Sequence, residues 1–169
     1  TSIDYPVVQG NDDSYYLTHT FKKAEHVAGA IFLDSDNNAD FSDDKNIIYG
    51  HNMKDGSMFR GLRNFLDDEF LKEHHILYLY LPDEGVWIFV IVKCEYTPAD
   101  GDAFLLGTQE EVPTLLLSTC GTDTSKRLVV WCERQEENGE QIEYSDEETE
   151  VQEATDDLAF LDGVCGKRN

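Results

Sequence analysis

The sequence is short of positive charge: 13 Lys and Arg stand against 35 Asp and Glu in 169 residues, a formal net charge of −22. Nucleic acid and anionic membrane surfaces would repel such a chain, so neither is expected as a partner. Long apolar runs are also missing. The longest, residues 86–92, is far short of a membrane span, and the N-terminus has no signal-peptide pattern. Cysteine is sparse: Cys94, Cys120, Cys132 and Cys165 form neither a disulfide framework nor a pattern with zinc-ligand spacing. No metal site is expected from them.

What is present suits one domain with a real core. Runs of β-formers predict strands at 30–33, 46–49, 76–81, 86–96, 114–119 and 127–134. The turn sequence "LPDEG" joins two of them into a hairpin over 76–96. Residues 57–74 carry the one good helical pattern, with Met58, Leu62, Phe65, Leu66 and Phe70 at helical spacing and Ser57 or Asp67 able to cap a start. Many strands and few helices predict a mostly-β barrel or sandwich with short decorating helices.

The acidic imbalance is uneven, since residues 133–169 hold 13 acids against 3 bases. Residues 136–157 are almost free of apolar side chains, so 136–169 reads as a solvated, disordered acidic tail behind a catalytic-size domain at 1–135. A partner-binding acidic arm is the alternative. Within that tail "LAFLDGVCG" is apolar and has no obvious place. "DSDNNADFSDDK", residues 34–45, partly fits a calcium-loop template, but Ala39 and Lys45 stand where the turn glycine and the bidentate glutamate belong. An acidic connecting loop is the better reading.

Two positions carry potential chemistry. Cys120 ends the apolar run "TLLLST", and Arg127 opens the next strand after six residues, a connection short enough for antiparallel neighbours. His51 follows a buried strand in "NIIYGHNM", where loops on a rigid sheet commonly hold reactive groups. A thiol becomes a nucleophile when an imidazole or a cation favours its thiolate, and an arginine can donate to a developing oxyanion. Spacing alone leaves Cys120 open between a packed thiol and half of a Cys–His pair. Cys94 and Cys132 lie inside apolar strands and read as structural. His19 and His26 lie in polar segments, and His74 and His75 at a helix end.

The segments "IDYPVVQG", "YYLTHTF", "AGAIFLD", "NIIYGHNMKDGSMF", "LSTC" and "RLVVW" occur in an order that resembles the class B sortases, cysteine transpeptidases of Gram-positive cell surfaces. The resemblance runs from Ile3 to about Arg134. It implies a sortase-type β-barrel whose first strand is missing from this chain, so that a barrel edge would need another cover. It also implies His51 as acid/base, Cys120 as nucleophile and Arg127 as oxyanion or substrate stabiliser, with Leu17 and Ser118 bordering the substrate groove. The implied reaction cuts a Thr–Gly or Thr–Asn bond in a C-terminal sorting signal through a thioacyl-enzyme. The acyl group then passes to a cell-wall peptide or pilin lysine amine, at the outer face of the cell membrane and without a cofactor. Membrane attachment would come only through an anchor absent from this chain. A thiol hydrolase with little transfer, or a silent surface-binding module of the same fold, are the alternatives. Two departures stand out: Leu116 replaces a threonine usual in the family, and the 96–113 connection is short where class B members carry a long helical insertion.

Overall fold

A computed structural model describes residues 3–82, 84–107, 110–120, 125–135 and 159–162, the side chains of 120 and 159–162 excepted. Its strands are β1 (Tyr5–Gln9), β2 (Ile31–Leu33), β3 (Lys45–Tyr49), β4 (Ile76–Leu81), β5 (Gly85–Pro98), β6 (Thr114–Cys120), β7 (Lys126–Arg134) and β8 (Ala159–Asp162). They close into a barrel in the order β1-β2-β3-β6-β7-β5-β4-β8. The β1/β2 and β3/β6 pairs are parallel, and the other pairings are antiparallel. This is the sortase-type barrel, and every strand read from the sequence is present. The 76–96 hairpin forms as expected, with Leu81 opposite Gly85.

Side-chain alternation divides the apolar residues between two faces of the sheet. Leu77 and Leu79 of β4, Leu115 and Leu117 of β6, and Leu128 and Val130 of β7 fill the main core. Their neighbours Leu116 and Val129 turn the other way and join Ile47 in a second cluster. That cluster is covered by the connection after β5, where Ala103, Phe104 and Leu106 pack against it. The short connection is therefore a strap across the outer face of β3, β6 and β7. Leu116, fully buried there, supplies apolar surface that the strap covers. Lys45 secures the strap, ion-paired to Glu110 at 2.7 Å and donating to the Leu105 carbonyl at 3.3 Å.

The helical stretch expected at 57–74 divides in two. Phe59–Leu66 is a 3₁₀ helix and Asp68–Glu73 is α1. Three residues per turn lines up Phe59, Leu62 and Phe65, which all enter the main core. Asp67 then adopts an extended backbone, and its carboxylate caps α1 by accepting from the Glu69 and Phe70 amides at 3.0 and 2.9 Å. Ser57 does not cap; its hydroxyl donates to Asp55 instead.

Two strands escaped the sequence reading. β1 contains Pro6, which argues against a strand interior, yet Pro6 pairs only at a short edge segment with β8. β8 lies between β1 and β4, with Tyr5 opposite Leu161 and Leu79 opposite Leu161 on its other side. The apolar segment without a place in the sequence thus includes a barrel strand, which joins the edges of β1 and β4. The other residues assigned to an acidic tail lie outside the described residues. Among the described residues, no helix is long and apolar enough to cross a membrane.

Candidate active site

The parallel pairing of β3 with β6 sets Tyr49 opposite Ser118. One residue further, the Gly50 amide donates to the Ser118 carbonyl at 3.1 Å, so the two chains stay together past the end of β3. His51 and Cys120 each stand two residues beyond that matched pair. Antiparallel β7 completes the rim, with Cys120 directly opposite Arg127. By alternation, position 120 shares a face with Leu116, and position 127 shares one with Val129. Positions 120 and 127 therefore lie on paired strands at one rim, on the face that carries the strap, and His51 lies at the same rim in the loop just past the end of β3.

Gly50 explains how the chain reaches His51. A Cβ there would lie 2.4 Å from Ile31 Cδ1 and 2.7 Å from Phe59 Cδ2, so only glycine passes so close above the core. The loop beyond is tied down. Phe59 donates its amide to the His51 carbonyl at 2.9 Å, Asn52 bridges to Met58, and the Arg60 guanidinium donates to the Asn52 side chain at 3.0 Å. The His51 ring is half-buried, and its Nε2 lies 2.7 Å from the Leu17 carbonyl oxygen. A carbonyl can only accept, so Nε2 carries the hydrogen.

Arg127 is half-buried, and its guanidinium donates to the Lys126 carbonyl at 3.3 Å. Its charge reaches Tyr49, a neighbour the sequence did not single out. Burial, then the hydrogen bond from the Tyr49 hydroxyl to Asp34 at 2.8 Å, hold that phenol well above its ordinary range; Arg127 acts in the opposite sense. The two groove candidates differ. Leu17 is 40 % exposed, whereas Ser118 is 1 % exposed and its hydroxyl has no hydrogen-bond partner among the described residues.

Other reactive side chains serve the fold. Burial, assisted by Glu95, pushes the Cys94 thiol up to about 12, and complete burial beside Cys94 raises Cys132 too. Neither forms a thiolate near neutrality. His19 stacks on Tyr15 at 4.1 Å, His26 accepts from the Ala28 amide, and His75 donates to the Lys72 carbonyl. Within the 34–45 loop, Asp43 accepts from the Asn37 side chain and from the Asn38 amide and side chain, and Asp34 accepts from the Asp36 amide. Among the described residues, no set of three or more His, Cys, Asp or Glu side chains gathers as metal ligands.

The fold is a closed mixed barrel, with Cys120 and Arg127 on paired strands at one rim and His51 in the loop past β3 at the same rim. The chain belongs to the sortase family: the sortase domain model matches residues 1–135. Within it, the similarities are to class B. A 74-residue segment is 54% identical to sortase B of Listeria monocytogenes, covering 44% of this chain and 30% of that protein. A 77-residue segment is 35% identical to sortase B of Staphylococcus aureus, covering 46% and 32%. The chain thus spans about a third of the length of these curated relatives. In structure it is similar to a Streptococcus pyogenes class B sortase involved in pilus biogenesis, with TM-score 0.72, 26% identity, and 80% and 87% of the two chains covered. It is also similar to sortase B of Listeria monocytogenes, with TM-score 0.65, 32% identity, and 79% and 88% covered.

Proposed function

We propose that the chain is a cysteine transpeptidase in which Cys120 is the nucleophile, His51 the acid/base and Arg127 the oxyanion stabiliser. His51 takes the proton of the Cys120 thiol, and the thiolate attacks the threonine carbonyl carbon of a Thr–Gly or Thr–Asn bond in a sorting signal. Arg127 donates hydrogen bonds to the oxyanion that develops. His51 passes a proton to the leaving amine as the C–N bond breaks, leaving a thioester on Cys120. An amine from a cell-wall peptide or a pilin lysine, giving up a proton to His51, then attacks the thioester; the C–S bond breaks, and the departing sulfur takes that proton from His51 to restore the thiol. Such a reaction belongs at the outer face of the cell membrane, where those amines are found.

The observation that carries this reading is the register: β7 sets Arg127 opposite Cys120, and the β3/β6 pairing brings the chain at His51 up beside them. Family membership supports it. The short strap favours a second outcome, hydrolysis, because it covers the sheet without the long insertion usual in class B. Leu17, exposed beside His51, and Ser118, two residues before Cys120 on β6, are the groove residues of this reading.

The test is incubation with fluorogenic peptides containing a Thr–Asn or Thr–Gly bond, with and without an amine acceptor. The wild type forms the transfer product, and Cys120→Ala and His51→Ala lose at least about 100-fold in rate. Hydrolysis alone, unchanged by amine, points to a thiol hydrolase. No cleavage of any such peptide rejects both enzyme readings.

A further inference from the structure

We propose that Gly29 is a positioning residue for His51, acting through the Leu17 carbonyl. Its missing side chain leaves that carbonyl where it holds His51 in the Nε2–H form and keeps Nδ1 as the basic ring atom. The inference rests on the acid/base role proposed for His51.

Leu17 closes the 3₁₀ turn Tyr15–Leu17, which the sequence pattern gave no reason to connect with His51. Asp12 ties the entry of the turn: one carboxylate oxygen accepts from the Ser14 amide at 2.7 Å, the Ser14 hydroxyl at 2.6 Å and the Tyr15 amide at 2.9 Å. Those bonds hold the Asp12 carboxyl below its ordinary range, the Ser14 hydroxyl contributing most. On the barrel side, the Ala30 amide donates to the Tyr16 carbonyl at 2.9 Å. The turn is thereby fastened to the start of β2, at the rim where β3 and β6 end.

Gly29 sits in the narrowest part of that junction. It has φ +60°, and a Cβ built on it would lie 2.3 Å from the Tyr16 carbonyl oxygen and 2.8 Å from that of Leu17. Both are backbone atoms, so no side-chain rotation relieves the clash. The Leu17 oxygen is thus bounded by Gly29 on one side and His51 Nε2, at 2.7 Å, on another. A side chain at 29 forces this backbone junction, which includes the Leu17 carbonyl, to shift. A neutral imidazole has one N–H, so fixing it on Nε2 leaves Nδ1 as the only acceptor. A displaced carbonyl no longer makes that choice.

Gly29→Ala tests this, with Gly85→Ala as control. Gly85 also has positive φ, at +79°, has nothing within 4 Å of an added Cβ, and lies at the start of β5, at the far end of the barrel from Cys120. The readout is the ¹⁵N spectrum of the His51 ring, recorded at about pH 9. The wild type and Gly85→Ala show a single Nε2–H tautomer. Gly29→Ala shows both tautomers, and its peptide-cleavage kcat falls about 10- to 100-fold. Should Gly29→Ala fail to fold, Asp12→Ala, which frees the turn from its three bonds, is expected to mix the tautomers too. An Nδ1–H ring in the wild type, or an unmixed Nε2–H ring in folded Gly29→Ala or, failing that, Asp12→Ala, overturns the inference. A mixed ring with undiminished cleavage leaves the positioning by Gly29 standing and removes His51 from the acid/base role, so the two failures are distinguishable.

Discussion

At the residue scale, this barrel separates thiols by where they lie on β-strands. Cys132 is fully buried and Cys94 half-buried, and burial keeps both protonated. Their folded values lie above the roughly 8.5 of a free thiol, so the stability they contribute is complete below that pH. It is lost as pH rises toward about 12 for Cys94, because the unfolded chain releases these protons first. The Tyr49 phenol, also raised, adds to the loss above about pH 10. Urea midpoints measured from pH 7 to 11 are expected to be level up to about pH 8 and then to fall. Cys94→Ala should flatten part of the decline. A midpoint that rises with pH over this range contradicts the assignment.

At the element scale, the strap and the β6 strand beneath it form one design. An outward leucine at 116 is buried because Ala103, Phe104 and Leu106 lie over its cluster, and the Lys45–Glu110 pair holds the strap. Lys45 is 9 % exposed, so weakening its carboxylate partner leaves a poorly solvated ammonium. Glu110→Gln is expected to cost about 1–3 kcal/mol in urea unfolding and to speed protease cleavage within the strap. Unchanged stability and an equally resistant strap would show that the apolar contacts suffice.

The sequence made much of this legible, for physical reasons. β4, β6 and β7 were readable because their patterns are local, and the six residues between Cys120 and Arg127 allow little but an antiparallel neighbour. Spacing could not bring His51 to Cys120, because the parallel β3/β6 pairing joins segments far apart in the chain; only the family resemblance linked them. The Leu17–His51 bond was invisible, since it runs through a backbone carbonyl that leaves no side-chain signature. The break at Asp67 was half legible: its capping power was read, but the 3₁₀ winding before it follows from packing against the core.

At the scale of the whole molecule, the barrel is closed by a strand from near the C-terminal end of the sequence. β8 covers the facing edges of β1 and β4, which would otherwise present unpaired amides and carbonyls. Phe160 pairs with Pro6 on one side and Tyr80 on the other. Phe160→Pro removes an amide from that double seam. Amide exchange in β1 and β4 is then expected to quicken by about ten-fold, the equivalent of roughly one hydrogen bond, while β3, β6 and β7 stay protected. Uniform loss across all strands would mean that closure governs global rather than local stability.

The central claim is that Cys120 forms a thioester with a sorting-signal peptide at a rim organised by His51 and Arg127. Intact-protein mass spectrometry, after brief mixing with a peptide containing a Thr–Asn or Thr–Gly bond, tests it most directly. The account predicts an acyl adduct that maps to Cys120, is discharged by added amine, and is absent from Cys120→Ala. An adduct on another cysteine, or persistence of the adduct in Cys120→Ala, would contradict it, as would no adduct with any such peptide.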